Sequence, residues 1–423
     1  MGPGVSVNNS IPKSEGPAMH FLPANISLPD FSVTDAEKWA VIACDQFTSE
    51  PAYWDACRDF VGDAPSTLKM ILPEARLGTA GANEAIDAAA RTMRAYHGTV
   101  LSELAPSYVY VERIQSDGRC RAGLVGMIDL EDYDFAPDAD TPVRATEATV
   151  VDRIPPRVRI RRDALYELPH IMLLADDPGD ALLSPYAGGR GLTPLYDTPL
   201  MMGGGHLSGW QVDAAEAARI DACLAAGAGG EHTPVLAVGD GNHSLATAKT
   251  VYEQYKAKDP AAARVSPLRY ALTEVVNLHS PALDFAPIYR IAVGCDPAAL
   301  TQAFARFVAG PYGAGPYGGG CVTLLRRGAE ETRTYAHGCH PLPVGVVDAF
   351  LGSHPEVRVD YIHGEDALRH LADAPDAVGF LFSGIRKEEL FPAIERGGSL
   401  PRKTFSMGQA RDKRYYMEAR LLR

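Results

Sequence analysis

None of the seven cysteines of this 423-residue chain stands in a C-x-x-C pair: Cys44, Cys57, Cys120, Cys223, Cys295, Cys321 and Cys339 are scattered and odd in number. That excludes a disulfide framework and suits free thiols in a reducing compartment. His337, Cys339 and His340 lack a second ligand pair at zinc spacing, so no metal-ligating residues are assigned. Long apolar runs are missing too. No stretch reaches the ~18 apolar residues of a membrane span, and the N-terminus lacks the basic-then-apolar order of a signal peptide. The expectation is a cytoplasmic protein with no membrane partner. Positive charge is in short supply: 40 Lys and Arg stand against 53 Asp and Glu, a net charge of −13. Such a field repels polyphosphate backbones and argues against nucleic-acid binding, yet it permits a local basic pocket for one small anion. Walker A, G-x-S-x-G and H-E-x-x-H are all absent, which removes the commonest nucleotide, hydrolase and zincin signatures. A literal G-x-G-x-x-G at Gly313, Gly315 and Gly318 follows a helical segment and precedes a strand-like one. That is the reverse of a dinucleotide fingerprint, and the segment reads as a connector.

What is there is an ordinary globular mixture, 46% hydrophobic and 22% charged, long enough for two or three domains. Residues 1–30, rich in Pro, Gly, Ser and Asn, predict an irregular N-terminal arm, with order beginning near Trp39. A core of residues 31–290 carries the candidate site, and 291–423 form a C-terminal segment packed on it. Trp39 to Cys44 reads as a strand and Pro51 as a helix start. Helical spacing of Ile86, Met93, Val100 and Leu104 predicts a helix over 83–104. Tyr108–Ile114 and Arg121–Leu130 read as a hairpin around Ser116-Asp117-Gly118. Capped helices follow Asp213 and Asp296. The fold class is α+β, with mixed sheets and flanking helices.

Chemistry concentrates in Thr233-Pro-Val-Leu-Ala-Val-Gly-Asp240-Gly241-Asn242-His243-Ser244-Leu-Ala-Thr-Ala-Lys249, an apolar strand that breaks at Gly-Asp-Gly and enters a helix. The first helical N–H groups have no internal partner and the helix dipole is positive there, so an anion can sit on Asn242, His243 and Ser244. Asp240 can bind a metal or polarise a hydroxyl; His243 can donate to a phosphoryl oxygen or shuttle a proton. The alternative is an Asp cap beside a satisfied histidine, and both readings stand at this point.

A second cluster, Arg144-Ala-Thr-Glu147 through Asp152-Arg153-Ile-Pro-Pro-Arg157, combines arginine forks suited to phosphate with a carboxylate able to accept a hydroxyl proton. A solvated ion-pair network is the simpler account of it from sequence alone. Asp45 stands in a polar loop just past a strand, where function and a plain helix start compete. His170 precedes an apolar strand and is a ligand or a capping histidine. Pro401-Arg402-Lys403-Thr404 sets two cations beside a hydroxyl.

With these blocks in view, the chain resembles, over nearly its whole length, the bacterial family of unknown function numbered 1015 (DUF1015). The shared residues are Gly239 to Lys249, Ala43 to Pro51, Ile71 to Glu74, Arg144 to Arg157, Leu168 to Met172, Met201 to His206 and Leu400 to Gly408. Many relatives carry Asp-Gly-His-His-Arg where this chain has Asp240-Gly241-Asn242-His243-Ser244. A similar segment occurs at the phosphate and serine site of free-serine kinases of the ParB and sulfiredoxin-like superfamily. The resemblance implies a ParB/sulfiredoxin-like strand-to-helix phosphate site, phosphoryl chemistry and a link to serine metabolism.

Carried over residue by residue, Asp240 and His243 match, while Asn242 replaces a histidine and Ser244 an arginine. Arg153, Arg157 or Lys249 is left to replace that charge. Where relatives have His-Arg this chain has Tyr289-Arg290, so Arg290 alone carries over. The resemblance thus implies a phosphotransferase for a serine-like hydroxyl amino acid or its ester. Glu147 or Asp240 would be its base, and Mg2+ with ATP, ADP or pyrophosphate its donor. The alternative is a non-catalytic sensor of a phosphorylated metabolite or nucleotide. In both cases the partner is a small anionic or hydroxyl-bearing metabolite.

Overall fold

The computed structural model describes residues 19–230, 232–311, 313 and 315–423. Most of the expected irregular arm, residues 1–18, lies outside them. Order begins earlier than Trp39: Phe21–Leu22 and Ile26–Pro29 are already strands, because each finds a partner far along the chain. The expected strand at Trp39 is a short helix, Ala36–Trp39, followed by a two-residue strand, Val41–Ile42. The helix expected over 83–104 is Ala82–Tyr96, and Leu101–Glu103 turns back as a strand against Ile26–Pro29.

Ten strands build the largest sheet. Its path runs Thr193–Leu200, Gly205–Asp213, Ser107–Ile114, Cys120–Asp129, Tyr270–Asn277, Met172–Ala175, Leu236–Asp240, Val143–Ala145 and Tyr133–Asp134, with Phe21–Leu22 paired to Cys120–Asp129 off this path. The half that begins with Thr193–Leu200 is antiparallel; Tyr270–Asn277 pairs in parallel with Met172–Ala175, and Leu236–Asp240 with Val143–Ala145. The sheet is therefore mixed, in line with the α+β expectation.

Both of its faces are covered. In Ser107–Ile114 the residues Val109 and Val111 enter one core, while Tyr108 and Tyr110, pointing the other way, enter another. The period-2 alternation of a strand explains why Tyr-Val-Tyr-Val is apolar throughout.

A six-stranded antiparallel sheet forms the second layer: Ala329–Tyr335, Gly320–Arg326, Ala377–Phe382, Phe285–Val293 and Arg358–His363, with Phe405–Met407 also against Phe285–Val293. The division expected at Arg290 falls inside Phe285–Val293. The last residues return to the first body, where Tyr415–Tyr416 pairs with Val41–Ile42 and Ala419–Leu421 with Ile26–Pro29 and Tyr166–Glu167. The helix Pro297–Ala309 is followed by the strand Gly320–Arg326, the order expected on either side of the glycine-rich segment, of which 312 and 314 lie outside the described residues. All seven cysteines are free. Among the described residues no helix is long and apolar enough to cross a membrane.

One buried guanidinium ties the returning segment down. Arg414 pairs with Glu274 and Glu418, and its Nε donates to the Pro169 carbonyl at 2.8 Å. Glu274 and Glu418 are each only 1% exposed, so removing the cation leaves Glu418 without a cationic partner in the interior and Glu274 with Arg121 Nε 3.9 Å away. Arg414→Met is expected to lower the unfolding free energy by ~3–5 kcal/mol in urea titrations; a loss below about 1 kcal/mol would contradict this role.

Candidate functional site

The apolar strand Leu236–Asp240 lies between Met172–Ala175 and Val143–Ala145, and its end delivers Asp240 to one side of a cavity of about 450 Å³. Gly241 turns the chain from strand to helix with φ 78° and ψ 24°. A Cβ there would lie 3.0 Å from the Ile171 Cα, so both conformation and space call for glycine. Helix Asn242–Lys258 then starts with no side chain capping it, leaving donors at its N-terminus facing the cavity. Asn242 Oδ1 is buried without a hydrogen-bond partner.

Helix Ile154–Asp163 forms an adjoining wall. Pro155 and Pro156 occupy its first turn, where the missing N–H does no harm. Arg153, Arg157, Arg161 and Ala164 follow at steps of four, four and three, so one stripe of this helix lines the cavity. Arg157 pairs with Glu74 and donates to the Arg153 carbonyl at 2.6 Å; Arg153 is exposed at the mouth. Arg402 and Lys403 come from the other side, in the segment before Phe405–Met407. A protein of net charge −13 therefore gathers six cations, Arg161 and Lys413 included, around one cavity.

Burial and the guanidinium groups of Arg157, Arg153 and Arg402 push the His243 imidazole down to about 4. His243 is thus neutral at pH 7. Its Nε2 accepts the Val150 N–H at 3.4 Å, which puts the ring proton on Nδ1 and makes His243 a donor. Asp240 lies 3.2 Å from Lys413 Nζ and accepts the Gly241 N–H at 2.9 Å.

Ser244 belongs to a chain of bonds. The Cys44 N–H donates to Tyr416 Oη at 3.1 Å, Tyr416 Oη lies 2.8 Å from His170 Nδ1, and His170 Nε2 lies 2.8 Å from Ser244 Oγ. Burial raises the Tyr416 pKa well above its usual value, so the phenol keeps its proton and has His170 Nδ1 to give it to. His170 consequently donates from Nε2 to Ser244. The serine is an acceptor toward histidine, and its own proton is left for a ligand; this is not a base-activated nucleophile. Nor is Cys44, whose thiol burial pushes up to about 11.

Of the residues singled out in the sequence, Asp45, Glu147, Arg153, Arg157, His170, Asp240, Gly241, Asn242, His243 and Ser244 all line this cavity. Three do not. Arg144 turns away, its Nη2 bonding Asp140 at 2.6 Å and its Nε the Thr141 carbonyl at 2.8 Å. Lys249 sits seven residues into the helix, ~10 Å from the N-terminus, where its ammonium meets the Leu130 carbonyl and Glu253. Arg290 is wholly buried; it grips Asp348 and donates to the carbonyls of Arg402 and Lys403 at 2.9 and 3.0 Å.

Glu147 completes that clamp. Its oxygens accept the N–H groups of Lys403 and Thr404 at 3.0 and 3.1 Å, and burial raises its pKa against those bonds and the nearby Arg290. Lys403 itself adopts φ 53°, a left-handed conformation that the clamp on both sides holds in place.

Lys413 and Tyr416 are missing from the sequence reading, and Glu74 has no role in it. A Lys-Arg-Tyr-Tyr run in an acidic chain is the signal that points to the first two. Among the described residues no group of three or more His, Cys, Asp or Glu can hold a metal ion, 337–340 included.

The family described as "Protein of unknown function (DUF1015)" matches residues 28–357. No curated protein matches the chain. Solved structures similar to it include SbnI with a C-terminal truncation from Staphylococcus aureus, 10% identical, covering 67% of this chain and 82% of its own, with a TM-score of 0.35. A free serine kinase in complex with AMP is 12% identical over 69% of this chain and 90% of its own, TM-score 0.36. A mutant free serine kinase in complex with ADP is 13% identical with the same coverage, TM-score 0.35. With overlaps this low, the chemistry of this chain has to come from its own residues.

The depressed imidazole has a consequence for stability. Between about pH 6.5, the value of a free histidine, and about pH 4, the unfolded chain binds a proton at His243 that the folded chain refuses. Stability therefore falls as pH drops through this window. His243→Gln is expected to remove that component, so urea titrations at pH 7 and pH 5 should show the variant losing less than the wild type; equal losses would contradict the assignment.

Proposed function

We propose that this chain, which belongs to the DUF1015 family of proteins of unknown function, is a small-molecule phosphotransferase acting on a serine-like hydroxyl compound or its phosphate ester. The observation that carries this reading is the convergence of an uncapped helix N-terminus, four guanidinium groups and two lysines on one cavity that also holds the Asp240 carboxylate. Phosphoryl transfer asks a protein mainly for positioning and charge neutralisation, and little for base strength.

In this reading the phosphoryl group rests on the N–H groups at Asn242 and His243, the Ser244 hydroxyl and the His243 Nδ1 proton, with Arg153, Arg157 and Arg402 balancing its charge. These arginines replace the one that stands at position 244 in many relatives. Asp240 accepts the proton of the attacking hydroxyl, and Lys413 holds its carboxylate in place. Glu147, with both oxygens on backbone N–H groups, positions Lys403 and Thr404 and leaves the proton to Asp240.

The donor is ATP, ADP or pyrophosphate with magnesium. Magnesium takes one or two carboxylates together with the donor's phosphates. Asp45, bonded through one oxygen to Gln46 Nε2 at 3.0 Å, is the cavity carboxylate that fits this mode. The ion would supply charge neutralisation on the transferred group.

One observation favours a second reading, a non-catalytic sensor of a phosphorylated metabolite or nucleotide: Lys413 already neutralises Asp240. A screen separates the two. The protein with magnesium is crossed over serine and phosphoserine with ATP, ADP, phosphate and pyrophosphate, read by mass spectrometry and thermal shift. Phosphoserine from serine, or the reverse, is expected, with Asp240→Asn lowering turnover by about 10²-fold or more at an unchanged melting temperature. Stabilisation without product selects the sensor, and neither signal overturns the anion site. Arg153→Met is expected to weaken phosphate binding about tenfold, the loss of one charge-assisted contact, by calorimetric titration.

A further inference from the structure

We infer that the inner half of the cavity is a site for an aliphatic chain, so that its ligand carries an anionic head at the mouth and an apolar tail inside. The head-group half rests on the reading above; the tail half does not. Helix Ile154–Asp163 supplies the axis. The residues it turns to the cavity run from Arg153 and Arg157 through Ile160 and Arg161 to Ala164; the Arg161 charge is held by Glu167, and Arg157 to Ala164 spans ~10 Å. Around the Ala164 end stand Met70, Leu72, Met93, Leu272 and Leu422, none more than 5% exposed.

Protein interiors close such spaces, because every unfilled contact forfeits dispersion energy. An open chamber walled by flexible and branched aliphatic side chains, continuous with a cationic mouth, is a place for a ligand of matching polarity.

In the inner chamber the chemistry of the walls selects a chain over a purine, so a nucleotide donor would keep its base outside it. A base needs a ring to stack on and several donors and acceptors at its edge. The aromatic rings of the cavity are engaged: Phe405 stacks on Phe285 at 4.3 Å, Tyr416 meets His170 edge-on, and Tyr166 bonds His97 at 2.7 Å. The polar pair at the inner end is closed as well. Glu167 accepts from Arg161, Arg420 and the Leu272 N–H. Arg161 Nε has no partner but is itself fully buried. Walls whose polar groups are paired or buried suit a hydrocarbon chain, not the edge of a base.

The test titrates the whole protein with inorganic phosphate, methyl, butyl and hexyl phosphate, AMP and 1-hexanol by calorimetry. Each buried CH2 tightens binding about fourfold, so hexyl phosphate is expected to bind at least about 30-fold tighter than methyl phosphate. Met93→Trp and Ile160→Trp, which fill the chamber, should abolish this gain while methyl phosphate binds as before. The wild-type series decides the matter even if either variant fails to fold.

Equal affinity for methyl and hexyl phosphate would overturn the inference. So would AMP binding tighter than hexyl phosphate and displacing it. If neither phosphate nor methyl phosphate binds, yet 1-hexanol does and Met93→Trp abolishes that, the chamber assignment stands and the anion reading alone falls.

Discussion

The ion cluster around Arg414 is the constraint on which the site depends. Its guanidinium joins three pieces of chain that are remote in sequence: Glu274 in the main sheet, Glu418 in the C-terminal segment and the Pro169 carbonyl next to His170. A buried charge of this kind is stable only when its partners are in place. Meeting that condition sets Lys413 against Asp240 and Tyr416 against His170. The cavity is thus closed by residues that the chain adds last.

A second clamp acts at the mouth. Arg290, inside the second sheet, takes the carbonyls of Arg402 and Lys403, and Glu147, at the edge of the first, takes the N–H groups of Lys403 and Thr404. The loop bearing two cations is held from both sheets at once, and the left-handed Lys403 persists because its amide and carbonyl are both committed. Neither clamping residue need touch a ligand to govern where Arg402 and Lys403 stand.

Electrostatics at the opening follow from this assembly. The chain is acidic as a whole, but burial, aided by three nearby arginines, keeps His243 neutral at pH 7. The bond chain from Cys44 through Tyr416 and His170 then decides the direction of the Ser244 hydroxyl. A neutral donor histidine, a donor serine and free helix N–H groups make a surface that fits the anion proposed for it and offers no strong nucleophile. Farther in, the same helix that presents arginines to the mouth presents Ile160 and Ala164 to an apolar chamber.

By itself the sequence determined what depends on neighbours along the chain. The Gly-Asp-Gly break between Leu236–Asp240 and Asn242–Lys258, the hairpin around Ser116-Asp117-Gly118, the caps at Asp213 and Asp296, and the false glycine motif at Gly313 all follow from local periodicity and turn chemistry. So does the candidate anion site, because a helix N-terminus carries its unpaired N–H groups wherever it lies. Tertiary structure alone decided which charges reach that site. Arg144, Arg153 and Arg157 share one sequence cluster, yet Arg144 is drawn off by Asp140 while the others line the cavity. Lys249 is too far along its helix, and Lys413 arrives from more than 170 residues away. Short strands such as Phe21–Leu22 and Val41–Ile42 were equally hidden, since two residues hold an extended conformation only when a distant partner supplies the hydrogen bonds.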